Sequence, residues 1–268
     1  SIIKYNGTDT DIDLTAIDLG GGIVSIGGYA FYDTAVTDIV LPETLTGIQQ
    51  YAFARSNISS VVIPASVEYI AKYAFFYTPL ASVTFAQDSG LKVMEQWAFA
   101  YTRELDAIEL PASLQTMGSS VFYHSGIISV TFAQDSVIPE IPESAFASSA
   151  HMSVVLPDSV TLVNDNAYRD CATLQSVTFG AGEDLQLMSN VFYNTGLTSL
   201  HIPENLTYIG EYALVGLQGL EEFTVDENNP EYASVNGVLY DKEVSKIIAV
   251  PAGKTGSLTL PETLETIG

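Results

Sequence analysis

Apolar residues stand in fixed columns along this chain, and the columns return every 22–24 residues. The pair Ala30-Phe31 recurs as Ala52-Phe53, Ala74-Phe75, Ala98-Phe99 and Ala145-Phe146, with variants at Val121-Phe122, Ala167-Tyr168, Val191-Phe192 and Ala213-Leu214. Spacings between the second members run 22, 22, 24, 23, 24, 22, 24 and 22. Five residues before that anchor stand Ile26, Ile48, Ile70, Met94, Met117, Ile141, Val163, Leu187 and Ile209, with no polar exception. So uniform a column points inward, because water-facing positions would scatter in character. A period of 20–29 residues with fixed apolar positions is the mark of a solenoid, whose coils bury their apolar faces only by stacking.

One coil reads as follows. Val61 and Ile63 alternate with Ser60 and Val62, a period of two that predicts a short strand, and Pro64 stops it by removing the next ladder donor. Val67 and Ile70 mark a second short strand, and the aromatic-rich turn Tyr73 to Tyr77 closes the coil. The segment between is too short for a regular α-helix, so turn or 3₁₀ geometry is expected there. The end of the first strand carries Leu19, Leu41, Ile63, Phe85, Leu110, Phe132, Leu156, Phe179, Ile202, Val225 and Leu260. Strands about 4.8 Å apart turn ten coils into a rod of roughly 45–50 Å. On the outer face of the first strands, one row reads Val40, Val62, Thr84, Glu109, Thr131, Val155, Thr178, His201 and Thr224. These residues suit a sheet surface and define no ligand.

Composition narrows the partners. Thirty-two acidic residues against nine basic ones give a net charge of −23. Such a surface repels nucleic acid and anionic membranes, whose phosphates need Lys and Arg. It keeps an apolar solenoid dissolved and suits salt, divalent cations or a basic partner. Cys171 is the single cysteine, so no intrachain disulfide forms. No run of about 18 apolar residues is present to span a membrane as a helix, and no signal peptide opens the chain.

Several segments resemble the BspA-like leucine-rich repeats of bacterial and protist cell-surface proteins. They are Ser59 to Phe75, with its SSVVIPASVEYIAKYAF pattern, and Leu197 to Ala213, with LTSLHIPENLTYIGEYA. Ser82 to Ser89 and Ser129 to Ser136 share SVTFAQDS, a second repeat flavour also similar to that family. The segment Asn229 to Tyr240 is similar to it too. The resemblance covers nearly the whole chain. It implies a β-rich leucine-rich-repeat solenoid, a right-handed superhelix with a parallel sheet, two short strands and a turn or 3₁₀ segment per coil of 22–25 residues. It also implies an extracellular or cell-surface location and a role in adhesion or recognition. Members differ in ligand, so no binding residue carries over.

The domain reading follows: 1–16 as an N-terminal cap region, 17–225 as about nine repeats, 226–257 as a hairpin-like insertion and 258–268 as the start of a further, truncated repeat. Val238-Leu239-Tyr240 and Ile247 to Val250 predict a hairpin bulging from the stack. The stop at Gly268, where the next Ala-Phe should follow, marks the chain as a fragment with an unsealed apolar end.

Little here predicts catalysis or cofactors. His124, His151 and His201 fall on different coils and at different columns. Cys171 shares a column with Thr34, Ser56, Thr78, Thr102, Ser125, Ser149, Thr195 and Leu217, where a small, semi-polar residue belongs, and no basic neighbour lowers its pKa. Asp9, Asp11 and Asp13 open like an EF-hand loop, but Leu14 and Gly20 replace its glycine and glutamate, leaving at most a weak surface Ca²⁺ site.

The aromatics carry the functional expectation. Two residues before the anchor stand Tyr29, Tyr51, Tyr73 and Trp97, then Ser120, Ser144, Asn166, Asn190 and Tyr212. Tyr77 and Tyr101 lie around the same turns. Two readings stand open: rings lying flat over adjacent coils to cover backbone, or a partly exposed recognition stripe for protein or glycan. The expected function is a non-catalytic recognition or adhesion module, a monomer without cofactor, metal, nucleic-acid partner or direct membrane insertion. The alternative is a structural spacer in a larger surface protein.

Overall fold

The structure is a computed structural model that describes residues 1–2, 4–17 and 22–267. It is a parallel-sheet β-solenoid of about 11 turns with almost no helix. Leu19 lies outside the described residues.

The strand Ser60–Ile63 shows how a coil begins. Its residues alternate exposed and buried, and it pairs in parallel with Ser82–Phe85, placing Ser60 beside Ser82 and Ile63 beside Phe85. After Pro64 the chain turns, with the Val67 amide donating to the Pro64 carbonyl at 3.1 Å. The second strand, Tyr69–Ile70, belongs to a five-stranded parallel sheet built from successive coils. In that sheet Ile26, Ile48, Ile70, Met94 and Met117 are partners in series. A four-stranded sheet continues the same layer from Glu140–Ile141 to Leu206–Ile209. The column five residues before the anchor is buried throughout, apart from half-buried Ile209. The row at the end of the first strands is less uniform. Leu41, Ile63, Leu110, Leu156 and Ile202 are buried, Phe85, Phe132, Phe179 and Val225 half-buried. Leu260 is exposed, because no strand forms at 257–260.

The anchor turn is turn rather than 3₁₀; among the described residues the one 3₁₀ segment is Leu14–Ala16. Inside the turns the anchor rings stack. Phe31, Phe53, Phe75 and Phe99 are 5.0–5.1 Å apart and within 10° of parallel. The stack runs on through Phe122, Phe146, Tyr168 and Phe192 at 5.3–6.0 Å. Three residues after each anchor, the hydroxyls of Thr34, Ser56, Thr78, Thr102, Ser149 and Thr195 donate to the anchor carbonyl at 2.6–2.9 Å. That bond accounts for a small hydroxyl at most positions of the column: the buried side chain is satisfied by the anchor carbonyl, which at Phe53 and Phe146 also accepts a backbone amide.

The stack begins with the first residues. Ile2 bridges to Ile26, Asp11–Asp13 pairs in parallel with Asp38–Val40, and the Tyr5 ring stacks on Phe31 at 5.5 Å, so residues 2 and 4–13 lie on the stack as a shortened coil. The insertion near the other end is a layer of the stack. Val238–Asp241 and Lys246–Ala249 form an antiparallel hairpin, and a further strand, Tyr232–Val235, pairs antiparallel with the first of these. The hairpin does not bulge outward as the sequence led us to expect. Val238, Leu239 and Tyr240 are fully buried, because consecutive apolar residues give the strand two faces to cover. Lys246–Ala249 then pairs in parallel with Thr266–Ile267, returning the chain to the solenoid direction.

Candidate functional site

The first eight anchor turns each hold two residues in the left-handed region, while at Leu214 Gly216 alone has a positive φ. Two before the anchor are Tyr29, Tyr51, Tyr73, Trp97, Ser120, Ser144, Asn166 and Asn190, with φ between 54° and 60°. Two after it are Asp33, Arg55, Tyr77, Tyr101, His124, Ser148, Asp170 and Asn194, with φ between 55° and 62°. The conformation serves the stacking. In the coil of Phe53, the amides of Tyr51, Phe53 and Arg55 donate to the carbonyls of Lys72, Ala74 and Phe76 one coil ahead, at 2.8–3.1 Å. The left-handed residues turn these amides along the solenoid axis while their own side chains point off its edge.

In the first coils those side chains are aromatic and form a continuous rim. Tyr29 stacks on Tyr51 at 4.8 Å, Tyr51 on Tyr73 at 4.7 Å and Tyr73 on Trp97 at 6.1 Å. Tyr77 and Tyr101 lie 6.1 Å apart in the second column. Phe76 meets Tyr73 and Tyr101 edge-on at 5.5 and 5.4 Å. Tyr29 and Tyr77 are 53% and 55% exposed, whereas Tyr51, Tyr73, Trp97 and Tyr101 are half-buried by their neighbours. Desolvation by this packing, followed by the nearby Tyr73 and Tyr29, raises the Tyr51 hydroxyl pKa above its usual value. The structure thus brings all six stripe residues of the sequence reading to one edge. It also extends that edge past Trp97, through Tyr123 at 5.2 Å from Trp97 and His124 at 5.1 Å from Tyr101. Arg55 escaped the sequence reading and His124 was weighed there only for catalysis, yet their place two residues after the anchor, shared with Tyr77 and Tyr101, marks them.

A second group is internal. Ser149 Oγ lies 2.7 Å from His151 Nδ1 and 3.4 Å from Cys171 Sγ. The serine hydroxyl donates to the Phe146 carbonyl at 2.6 Å, so Nδ1 carries the proton and donates to Oγ. All three residues are buried. Desolvation lowers the His151 pKa to about 4 and raises the Cys171 thiol to about 11. A neutral imidazole wedged edge-on between Phe146 and Tyr168, beside a protonated thiol, is core packing rather than a nucleophile and base. One sign of it was legible: His151 sits five residues after its anchor, where Val36, Ile58, Leu80, Ile127 and Leu197 are apolar, although other coils place Glu104 and Thr173 there and their leucine one residue later.

At the N-terminal end, Asp13 accepts from the Thr15 amide and hydroxyl, and these bonds hold its carboxyl below the usual range. Among the described residues no group of three or more His, Cys, Asp and Glu converges on a metal position, and no helix is long and apolar enough to cross a membrane.

A stack of parallel coils with an aromatic edge defines the class: a leucine-rich-repeat solenoid. The chain belongs to the BspA-type family, for the model described as "BspA type Leucine rich repeat region" matches six copies over residues 24–140 and 139–236. No curated protein sequence matches the chain. Among solved structures, a leucine-rich repeat protein from Bacteroides ovatus is 22% identical with a TM-score of 0.66, over 80% of this chain and 56% of that one. The pneumococcal vaccine antigen PcpA is 20% identical with a TM-score of 0.54, over 96% of this chain and 73% of that one. Both show the same fold. The chain therefore spans little more than half of the Bacteroides protein.

Proposed function

We propose that this chain is a non-catalytic, surface-displayed recognition module whose aromatic rim docks on a protein or glycan of a host or neighbouring cell. One observation carries the reading. Aromatic L-residues occupy left-handed backbone positions that disfavour them, by roughly 1–2 kcal/mol each. Later coils fill the same position with Ser120, Ser144, Asn166 and Asn190, and their anchor rings still stack, at 5.3–6.0 Å. The solenoid does not need rings there, so their concentration on one edge of the first coils points to contact with something else. A rigid edge loses little entropy on docking. Membership of the BspA-type family and fold likeness to a vaccine antigen support a surface location. Leucine-rich-repeat families are generally non-catalytic, which supports that part of the reading.

The test uses the residue that later coils supply. Tyr73→Asn and Trp97→Asn variants are screened beside the parent chain on a panel of extracellular-matrix proteins and glycans. The parent binds at least one panel member, and the variants lose that binding while melting no lower than a few degrees below the parent. Full binding by both variants removes the rim from the function and leaves a spacer that holds another domain outward.

A further inference from the structure

Beside the rim lies a cleft of about 310 Å³ that crosses four coils, at the small end of ligand pockets, which run from about 300 to 1,000 Å³. Tyr77, Tyr101, Arg55 and Arg103 are among the residues that line it. The arginines are two of the nine basic residues in a chain of net charge −23. Their bonding sets them apart. Arg169, elsewhere on the same edge, is occupied: it donates to Asp170 and Asn166 and lies over the Tyr193 ring at 4.8 Å. Among the described residues, Arg103 has neither a hydrogen bond nor an ion pair to protein. Arg55 has a loose 3.9 Å approach to Asp33, with both side chains more than half exposed. Arg55 is also poised 5.9 Å from the centre of the Tyr77 ring. Two arginines with unused donors therefore border one cleft, beside two phenol rings.

We propose that this cleft binds the carboxylate of an acidic saccharide, which rests on reading the rim as a recognition surface and names its ligand class. A guanidinium presents paired N–H donors that match a carboxylate, and its geometry favours two parallel bonds. The faces of Tyr77 and Tyr101 suit the flat C–H face of a pyranose ring. Asp33 and Glu104, on the cleft margin, accept hydrogen bonds from sugar hydroxyls. The same two carboxylates select against an acidic peptide, which brings further negative charge and no hydroxyl donors. Spaced single carboxylates among neutral sugars, as in an alternating uronic acid and N-acetylhexosamine chain, fit that pattern. The repulsion exerted by the rest of the acidic surface falls off over about 8 Å at physiological ionic strength, so contact at the cleft decides the outcome.

The test is calorimetric titration of the chain with a hexasaccharide of alternating uronic acid and N-acetylhexosamine, and with the same hexasaccharide after reduction of its carboxyl groups. The acidic form binds at least about tenfold more tightly, the loss expected for one charge-assisted hydrogen bond. Arg103→Ala and Arg55→Ala each remove that advantage and leave weak binding of the reduced form unchanged. Circular dichroism confirms that both variants fold, as expected for exposed side chains. Equal affinity for the two forms overturns the proposal, as does an unchanged affinity in Arg103→Ala. Absence of binding at about 1 mM, or binding of a tetraglutamate peptide in place of the saccharide, overturns it as well. The rim is judged separately, since Tyr73 and Trp97 line no part of this cleft.

Discussion

His151 titrates against the fold. Unfolded, its imidazole has the ordinary pKa near 6.5; folded, burial holds it to about 4. Above pH 6.5 the ring is neutral in both states and its packing contributes fully. Between 6.5 and 4 the unfolded chain takes up a proton that the folded chain refuses. Stability therefore falls by about 1.4 kcal/mol per pH unit, on the order of 3 kcal/mol in all, and levels off below pH 4. Urea denaturation at pH 7 and pH 4.5 should show this drop in the parent chain and a smaller one in His151→Leu. Equal drops would rule it out. The left-handed positions give a prediction of opposite sign. Ser144, with φ of 54° and no side-chain hydrogen bond among the described residues, gains from losing its Cβ. Ser144→Gly should raise stability by about 0.5–1 kcal/mol, the left-handed cost relieved less the added freedom of the unfolded chain. An unchanged or lower denaturation midpoint would show that the backbone there is not strained.

At the scale of the coil, the stacked anchor rings and the lateral amide bonds act together. Phe75 touches both Phe53 and Phe99 in the stack and is fully buried. Phe75→Ala should cost about 3–5 kcal/mol. It should also split unfolding into two steps, since each coil is held by its neighbours alone. A single sharp calorimetric transition in that variant would contradict the nearest-neighbour picture. Close approach adds its own constraint at Gly126, where a Cβ would sit 2.1 Å from the Arg103 carbonyl oxygen. The strands and anchors were legible because apolar residues must recur wherever stacked coils share a core. The left-handed turn residues were not, because their backbone tolerates Tyr, Trp, Ser, Asn, Asp or Arg, and side-chain type reveals φ only when glycine is demanded. The inserted layer was half legible: the hairpin shows in its β-branched runs, while its burial depends on coils that cover it from both sides.

For the molecule as a whole, charge is the variable that folding does not balance. Thirty-two carboxylates on an elongated body repel one another, and a compact state suffers that repulsion more than an open one. Ion pairs offset little of it: those among the described residues are Arg55–Asp33, Lys92–Glu68 and Arg169–Asp170, all substantially exposed. Raising sodium chloride from about 20 mM to about 500 mM shortens the screening length from roughly 20 Å to roughly 4 Å. The melting temperature at pH 7 should rise over that range. A flat or falling midpoint would mean that the carboxylates are spaced widely enough to ignore one another.

The inserted layer of strands at 232–249 has a mechanical consequence. A tether pulled from both ends peels an ordinary coil by breaking a few lateral bonds at a time, freeing about 22 residues, or roughly 75 Å of slack. Where Tyr232–Val235, Val238–Asp241 and Lys246–Ala249 run back and forth, the same pull meets a pleated three-strand clasp. Under load it divides the filament into segments that yield in turn.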